Sequence, residues 1–114
     1  MKIAIVGSRR LTVSHLDRFL PPDVTEIVSG GARGVDTCAA EYTKSKGLRL
    51  TVFFPDYEKY GRCAPLKRNK KIIDYADSVI VFWDGTSTGT RFVINECKRT
   101  GKAVKIFRTV PLPD

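Results

Sequence analysis

The chain has 114 residues, of which 42% are hydrophobic and 28% are charged, so it is long enough for one ordinary domain and too short for two independent cores. This balance excludes an intrinsically disordered chain, which would be poorer in apolar residues. Twenty Lys and Arg residues against twelve Asp and Glu residues give a formal net charge of +8, which favours anionic partners such as nucleotides, nucleic acid or an acidic protein, unless it only provides a basic solvated surface.

Five short runs rich in β-branched and aromatic residues predict strands along the chain. They span residues 3–6, 26–28, 50–54, 78–83 and 103–107. Several of these runs are apolar at consecutive positions, which is typical of strands in a parallel sheet that is covered on both faces.

Between the strands, apolar residues recur at helical spacing. The patterns that predict the three longer helices are Val35-Cys38-Ala39-Tyr42, Asn69-Ile72-Ile73-Ala76 and the stretch 90–99. Gly47 and Gly101 follow the first and the last of these patterns as C-terminal stops. Val13, Leu16 and Leu20 predict a short first helix, which the prolines that follow cannot continue.

The alternation of strands and helices predicts right-handed crossovers and an α/β fold. We expect a single Rossmann-like domain over residues 1–114, with an open parallel sheet of about five strands in the order 3-2-1-4-5 and helices on both faces. Ligands bind such a sheet at the carboxyl ends of its strands, where the winding reverses. The long connection 55–65 is expected to be functional or mobile, and the tail 110–114 to hang off the last strand.

The first strand runs into Gly7, Ser8, Arg9 and Arg10. The glycine allows close backbone approach, and the hydroxyl and guanidinium groups that follow are donors for a phosphate. The loop is therefore either a phosphate contact or a plain turn with solvated arginines.

A glycine-rich loop leads from the second strand into the next helix, with Gly30, Gly31, Arg33 and Gly34 before Asp36. A helix start presents unpaired N–H groups, and glycines keep side chains out of the way of an anion. This is the strongest local indication of a phosphate site, although tight packing of strand against helix would also need the glycines. The pattern is neither G-x-G-x-x-G nor a P-loop. Asp36 either orients Arg33 or caps the helix, and capping is favoured.

The fourth strand passes into a loop of hydroxyl residues and glycines before the last helix. Asp84, Ser87, Thr88, Gly89 and Thr90 supply donors and open backbone at a helix start, which suits an anion. A Ser/Thr capping loop is the alternative for this segment alone. In the order 3-2-1-4-5 this loop and the loop after the first strand meet at the reversal of winding.

Arg68 and Asn69 lie at the start of the second of the three longer helices. Asn69 shares the apolar face with Ile72 and Ile73, so its amide is expected to point toward the sheet and to need a partner. That partner is either a neighbouring carbonyl or a ligand.

The three cysteines, Cys38, Cys63 and Cys97, are widely spaced and include no C-x-x-C pair, which predicts reduced thiols and no zinc site. A catalytic thiol at Cys63 would need a base, and the single histidine, His15, lies in the first predicted helix. No apolar run approaches membrane-spanning length, and the N-terminal run is too short for a signal peptide. We expect a cytoplasmic protein without a metal or cofactor.

These motifs together resemble the SLOG superfamily, the Rossmann-like group that includes the DNA-processing protein A family and the Lonely Guy phosphoribohydrolases, and more narrowly its small YpsA-related single-domain branch. The resemblance runs through the motifs Gly7-Ser8-Arg9, 29–36, Arg68-Asn69, Asp84-Gly85 and Gly89-Thr90. It implies a pocket for a nucleotide or nucleotide-derived ligand, whose phosphate or ribose lies near Gly89-Thr90, and a tendency to form homo-oligomers. Arg9, Arg33 or Arg68 would meet the charge of the ligand.

Members of the superfamily include ligand sensors and hydrolases. In the Lonely Guy enzymes an arginine, and a glutamate just after the Gly-Thr loop, serve cleavage of an N-glycosidic bond, and Arg68 stands where that arginine is expected. Residues 91–93 after Thr90 are Arg-Phe-Val, and the next carboxylate, Glu96, lies farther along the helix. A phosphoribohydrolase-like activity, with Arg68 and Glu96 as candidate catalytic residues, is thus one alternative beside a sensor and a sequestering protein.

Single-stranded DNA binding is the second function class. The glycine-rich stretch 29–36 is also similar to the core of DNA-processing protein A, and the net charge of +8 suits a phosphate backbone. Phe53, Phe54 and Trp83 could stack on bases, but they lie in predicted strands, where aromatic residues more often belong to the core.

Overall fold

Five strands and four α-helices alternate along the chain in the computed structural model, which describes residues 1–31 and 34–108. The strands are β1 (Lys2–Gly7), β2 (Glu26–Ser29), β3 (Arg49–Val52), β4 (Ser78–Trp83) and β5 (Val104–Arg108). The helices are α1 (Val35–Lys46), α2 (Tyr57–Tyr60), α3 (Ala64–Tyr75) and α4 (Thr88–Thr100).

The sheet is parallel throughout, and its strand order is β3-β2-β1-β4-β5. The predicted Rossmann-like α/β arrangement is confirmed. Gly7 at the end of β1 pairs in register with Phe82 of β4. The loops after these two strands therefore start side by side, at the point where the winding reverses.

Apolar side chains cover both faces of the sheet. Neighbouring residues of β1 point to opposite faces: Ala4 packs in the layer of α3 and α4, and Ile3 and Ile5 pack in the layer of α1. The buried residues that α3 and α4 contribute to the first layer include Ile72, Ile73, Val93 and Ile94. Within the described part of the chain, no helix has the length and apolar character needed to cross a membrane.

The prediction of a first α-helix is wrong. Only a single 3-10 turn, Leu16–Arg18, forms in this segment. His15, just before the turn, has a φ of 57°, a left-handed conformation that an α-helix cannot contain. Leu16 is still buried against the sheet, so the apolar pattern marks the contact correctly although the helix does not form.

β3 is shorter than predicted and ends at Val52. It pairs only with β2, which ends at Ser29 opposite Val52, so the chain has no further partner strand there. Phe54 lies beyond the strand and is 73% exposed, and Phe53 is half-buried; the interpretation of Phe54 as a core residue is wrong. Trp83 ends β4 and is half-buried.

The connection 55–65, which was expected to be functional or mobile, is mostly helical, and α3 begins well before Asn69. The Asp56 carboxylate accepts the Lys59 N–H at 3.1 Å and caps α2. Pro65 stands in the first turn of α3, where its missing N–H costs nothing. α4 likewise begins at Thr88, earlier than predicted. The tail 110–114 lies outside the described residues.

Candidate functional site

A cavity of about 900 Å³ lies at the carboxyl ends of β1 and β4, where the loops after the strands meet. Residues that the sequence predicts for the site and that line it are Gly7, Ser8, Arg9, Gly30, Asp36, Arg68, Asn69, Asp84, Ser87, Thr88, Gly89 and Thr90. They come from the end of β1, from the loops after β1, β2 and β4, and from α1, α3 and α4, so the fold brings together segments that are far apart in sequence.

Three of the predicted residues that the structure describes do not line the cavity. Gly31 and Gly34 belong to the glycine-rich loop but lie outside the cavity wall, and Glu96 lies farther along α4. The Glu96 carboxylate accepts hydrogen bonds from the Arg99 side chain one turn on, which hold its pKa below its usual range. Arg33 lies outside the described residues.

Some lining residues were missed by the sequence analysis. They are Arg62, Thr86 and the apolar Val6, Pro65, Leu66, Ile72 and Phe92, whereas Arg10 belongs to the predicted loop after the first strand. Arg62 comes from the 3-10 turn before α3, in the long connection that was predicted to be functional or mobile. The signal that could have found it is the presence of three basic residues, Arg62, Lys67 and Arg68, shortly before the inward Asn69.

The first turn of α4 is open toward an anion. It contains no acidic residue, and the Ser87 side chain, at the N-cap, makes no capping hydrogen bond. The first N–H groups of a helix have no intrahelical acceptor and carry the positive end of the helix dipole. Gly89 is exposed, and a Cβ on it would meet no described atom within 4 Å. A phosphate can therefore approach this helix start closely.

Asp84 gives the loop before α4 its shape. Its Oδ1 accepts the backbone N–H groups of Thr86 at 2.9 Å and of Ser87 at 2.8 Å. These two bonds hold the pKa of Asp84 below its usual range. The indole N–H of Trp83 donates to the Ser87 carbonyl at 3.1 Å. The carboxylate and the indole thus fix the backbone in front of the helix start.

The start of α1 differs from that of α4, because it carries a negative charge. Asp36 is the second residue of α1, lines the cavity and is only 8% exposed. The N-cap position is Gly34, so the interpretation of Asp36 as the capping residue is wrong. A carboxylate at a helix start interacts favourably with the dipole and repels a phosphate. The dipole of α1 is therefore less available to an anion than that of α4.

Two glycines near the cavity are required by packing. A Cβ on Gly34, whose φ is 72°, would lie 2.5 Å from the Arg9 carbonyl oxygen. A Cβ on Gly7 would lie 2.6 Å from Cβ of Val35, at the start of α1. Packing of β1 against α1 thus explains Gly7, and a positive φ with the close approach of the loop after β1 explains Gly34.

Arg68 ties α3 to the glycine-rich loop. Its Nη1 donates to the Gly30 carbonyl at 2.6 Å, and its Nε donates to Oδ1 of Asn69 at 2.7 Å. The inward position of Asn69, which is 8% exposed, is confirmed. Burial lowers the pKa of Arg68, and the charge of Asp36 opposes this shift. A Cβ on Gly30 would lie 2.6 Å from Nη1, so Gly30 makes room for the guanidinium.

Positive charge predominates in the described wall of the cavity. Four arginines line it, Arg9, Arg10, Arg62 and Arg68, together with two carboxylates, Asp36 and Asp84. Arg9, Arg10 and Arg62 are exposed, so they can reorient toward a ligand. Over residues 1–31 and 34–108, no cluster of three or more His, Cys, Asp or Glu residues could hold a metal ion.

Two curated relatives are similar to this chain. The SPbeta prophage-derived protein YoqJ of Bacillus subtilis (strain 168) is 33% identical over 57 residues, which make up 47% of this chain and 33% of YoqJ, so the match spans about a third of that relative. The Gene 61 protein of Mycobacterium phage D29 is 32% identical over 91 residues, 75% of this chain and 73% of the phage protein. No family model and no solved structure matches the chain. By its identity and coverage with the phage D29 protein, the chain belongs to the family of that Gene 61 protein.

Proposed function

We propose that this protein binds a nucleotide or a nucleotide-derived ligand, with a phosphate group at the start of α4. The observation that carries the proposal is the joint presence, in one cavity, of a helix start without an acidic residue and of four arginines. The helix start supplies backbone N–H donors, and the arginines supply charge.

The size and the mixed lining of the cavity favour an organic phosphate over a small inorganic anion. About 900 Å³ lies within the usual range of small-molecule sites. Leu66, Ile72 and Phe92 add apolar surface, and Ser8 and Thr90 add hydroxyl groups. A ligand with a planar apolar part, a hydroxylated part and a phosphate would find a suitable contact for each part: the apolar residues, the hydroxyl groups, and the arginines with the start of α4.

The resemblance to the SLOG superfamily supports the same ligand class, and membership in that superfamily and self-association are part of the proposal. Its motifs on β1, β2, α3 and β4 all contribute residues to this one cavity. We propose binding rather than cleavage as the activity, because Glu96, the candidate carboxylate on α4, lies outside the cavity wall and is engaged by Arg99.

Isothermal titration calorimetry with nucleoside 5′-monophosphates, and with the matching nucleosides, tests the proposal. The nucleotides should bind, and the nucleosides should bind at least about tenfold more weakly, since they lack the phosphate. Arg9→Gln should weaken nucleotide binding by about tenfold, because a charge-assisted hydrogen bond is lost. Thr90→Val, which removes only the hydroxyl, should weaken it as well.

Arg18→Gln is the matched control, because Arg18 is also exposed but lies on the 3-10 turn outside the cavity wall. Equal affinities in the wild type, Arg9→Gln and Thr90→Val proteins would contradict the proposal. Mass spectrometry of small molecules that remain bound through purification would then identify the natural ligand directly.

Single-stranded nucleic acid is a second candidate ligand, because exposed aromatic and basic residues lie together on the segment from β3 to α3. Phe54 is 73% exposed and Tyr57 58% exposed. The Nζ atoms of Lys59, Lys67 and Lys71 lie 5.2, 5.9 and 6.0 Å from the ring centroid of Tyr60. Aromatic rings with nearby cations are typical of single-strand binding surfaces.

The dependence of affinity on salt separates the two candidates. Binding of a phosphate backbone should weaken steeply between about 50 and 200 mM salt, and binding of one nucleotide in the cavity should weaken much less. Tight oligonucleotide binding with a steep salt dependence, without competition from free nucleotides, would favour the second candidate.

A further inference from the structure

The side-chain amide of Asn69 has its oxygen in use and its nitrogen without a partner. Asn69 is more than nine-tenths buried and lines the cavity. Its Oδ1 accepts the Arg68 Nε–H at 2.7 Å, and its Nδ2 donates to no atom in the part of the chain that the structure describes. Because buried polar groups of folded proteins are nearly always hydrogen-bonded, we expect the acceptor for Nδ2 to come from a molecule in the cavity.

Arg68 fixes the orientation of this amide. A guanidinium nitrogen only donates, so the oxygen of the amide and not its nitrogen must face Arg68. Arg68 is held in turn by the Gly30 carbonyl, which accepts from Nη1 at 2.6 Å. The group that Asn69 has left for a ligand is therefore a hydrogen-bond donor.

The wall of the cavity on either side of Asn69 along α3 is apolar. Residues three or four positions apart lie on the same side of a helix. Pro65 and Leu66 come one turn before Asn69, Ile72 comes one turn after it, and all three line the cavity. A single polar group in an apolar wall orients the apolar part of a ligand, which in a nucleotide is the base.

The packing of α3 beside α4 is compatible with this position of the base. The two helices lie on the same face of the sheet and share one apolar core. Both also contribute residues to the cavity wall. A ligand with its phosphate at the start of α4 can therefore lay its base against α3 without crossing the sheet.

The direction of the hydrogen bond selects the kind of base. An asparagine whose amide is free at both ends reads adenine with its oxygen and its nitrogen together, and the oxygen accepts from the amino group of the base. In Asn69 the oxygen is engaged by Arg68, and the nitrogen needs an acceptor. A carbonyl oxygen on the edge of the base is such an acceptor, whereas an amino group at the same ring position would face a second donor.

We propose that Asn69 donates a hydrogen bond to an exocyclic carbonyl oxygen of the base, and so makes the site selective for nucleotides of keto bases over those that carry an amino group at the same ring position. This inference rests on the proposed function and adds the class of the base. Asn69 is a specificity-determining residue in it, and Arg68 orients Asn69.

The first test needs no variant. Calorimetry compares inosine with adenosine 5′-monophosphate and uridine with cytidine 5′-monophosphate, because each pair exchanges a carbonyl for an amino group at one ring position. In the pair that binds the wild-type protein more tightly, the keto nucleotide should bind about tenfold more tightly than its amino counterpart, which leaves the buried donor unpaired.

The second test assigns this preference to Asn69. Asn69→Asp keeps the oxygen that faces Arg68 and replaces the Nδ2 donor by an acceptor oxygen, so the preference should reverse in favour of the amino nucleotide. The added charge repels the phosphate of both nucleotides alike, so the ratio of their affinities reports on the base. Asn95→Asp is the matched control and should keep the wild-type preference, because Asn95 is exposed on α4 and lies outside the cavity wall.

A third variant separates recognition of the base from support of Arg68. Asn69→Leu keeps a similar volume in an apolar wall and removes both polar atoms, so the preference for the keto nucleotide should fall to about twofold or less. If Asn69 only held Arg68 in place, the affinities for both nucleotides would change by the same factor and their ratio would stay as in the wild type. Asn69→Leu gives the same decision if Asn69→Asp does not fold.

The outcomes separate the inference from the proposed function. Equal binding of the keto and amino nucleotides to the wild-type protein, or tighter binding of the amino nucleotide, would overturn the inference and leave the proposed function standing. A preference that is unchanged in Asn69→Asp or in Asn69→Leu would overturn the role of Asn69. If none of these nucleotides bound, the proposed function and the inference would both fail.

Discussion

The Ser8 hydroxyl accepts the backbone N–H of Asp84 at 3.3 Å, a contact between residues 76 positions apart. It joins the loop after β1 to the loop that leads into α4, and Ser8 is 2% exposed. We predict that Ser8→Ala lowers the free energy of unfolding by about 1 kcal/mol, because the half-buried N–H of Asp84 loses its acceptor.

Urea denaturation of Ser8→Ala checks this value. Ser14→Ala is the control, since Ser14 is exposed on the same connection, and it should leave the free energy of unfolding unchanged. Nucleotide affinity should also fall in Ser8→Ala but not in Ser14→Ala, because only Ser8 lies in the cavity wall. Two variants of equal stability would show that the contact between the loops is weak.

Two glycines of the cavity wall should respond oppositely to alanine. Gly89→Ala adds a methyl group into open space within the first turn of α4, so the free energy of unfolding should rise by about 0.4–1 kcal/mol. Gly7→Ala would bring its Cβ within 2.6 Å of the Val35 side chain and should lower that free energy by about 1–3 kcal/mol.

The same pair tests the phosphate site. Because a methyl group at Gly89 would hinder a phosphate at the helix start, Gly89→Ala should weaken nucleotide binding although it stabilises the fold. Thermal denaturation and calorimetry on the one variant measure both effects. Undiminished nucleotide affinity in Gly89→Ala would argue against a phosphate at α4.

Glu26 is a buried carboxylate away from the cavity wall and is predicted to make the fold sensitive to acid. The Tyr75 hydroxyl donates to it at 2.5 Å and the Thr51 hydroxyl at 2.9 Å, and the bond from Tyr75 is the main cause of its lowered pKa. A lowered carboxylate pKa stabilises the fold above the ordinary pKa of 4.5, and this stabilisation is lost as pH falls through the lowered value.

Tyr75→Phe should therefore lower the free energy of unfolding by about 1–3 kcal/mol at pH 7 and by much less at an acidic pH below the lowered pKa, where Glu26 is protonated. Denaturation at the two pH values measures the difference. Tyr57→Phe is the control, because Tyr57 is exposed. A Tyr75→Phe defect of the same size at both pH values would mean that the ionised form of Glu26 is not what Tyr75 stabilises.

The Asp84 carboxylate should stabilise its loop only while it is ionised. Its pKa is lowered by the N–H groups of Thr86 and Ser87, so its contribution is complete above the ordinary value of 3.8 and declines as pH falls through the lowered value. Asp84→Asn keeps one acceptor oxygen but loses the charge, and should lower the free energy of unfolding by about 1 kcal/mol at pH 7. Denaturation at pH 7 and in acid checks this, and a variant as stable as the wild type at pH 7 would refute it.

The local pattern of apolar residues in the sequence was sufficient to predict the five strands and three of the helices. The runs 3–6 and 78–83 are apolar at consecutive positions because each strand is covered on both faces, and that requirement is visible in the chain itself. One error lies where a distant partner decides, because β3 stops at Val52, where β2 ends opposite it. The other is local: the left-handed His15 reduces the first helix to one turn around Leu16, and the apolar pattern does not show that conformation.

The sequence by itself determined the α/β alternation, the strand order that follows from it, and the loops that meet at one rim, because hydrophobic periodicity and turn residues are local properties. Only the tertiary structure decided which helix start is open to an anion. Asp36 and Arg68 are 32 positions apart, and their charges act on one another only after α1 and α3 have packed against the sheet. Electrostatic interaction depends on distance in space, which the order of residues does not contain.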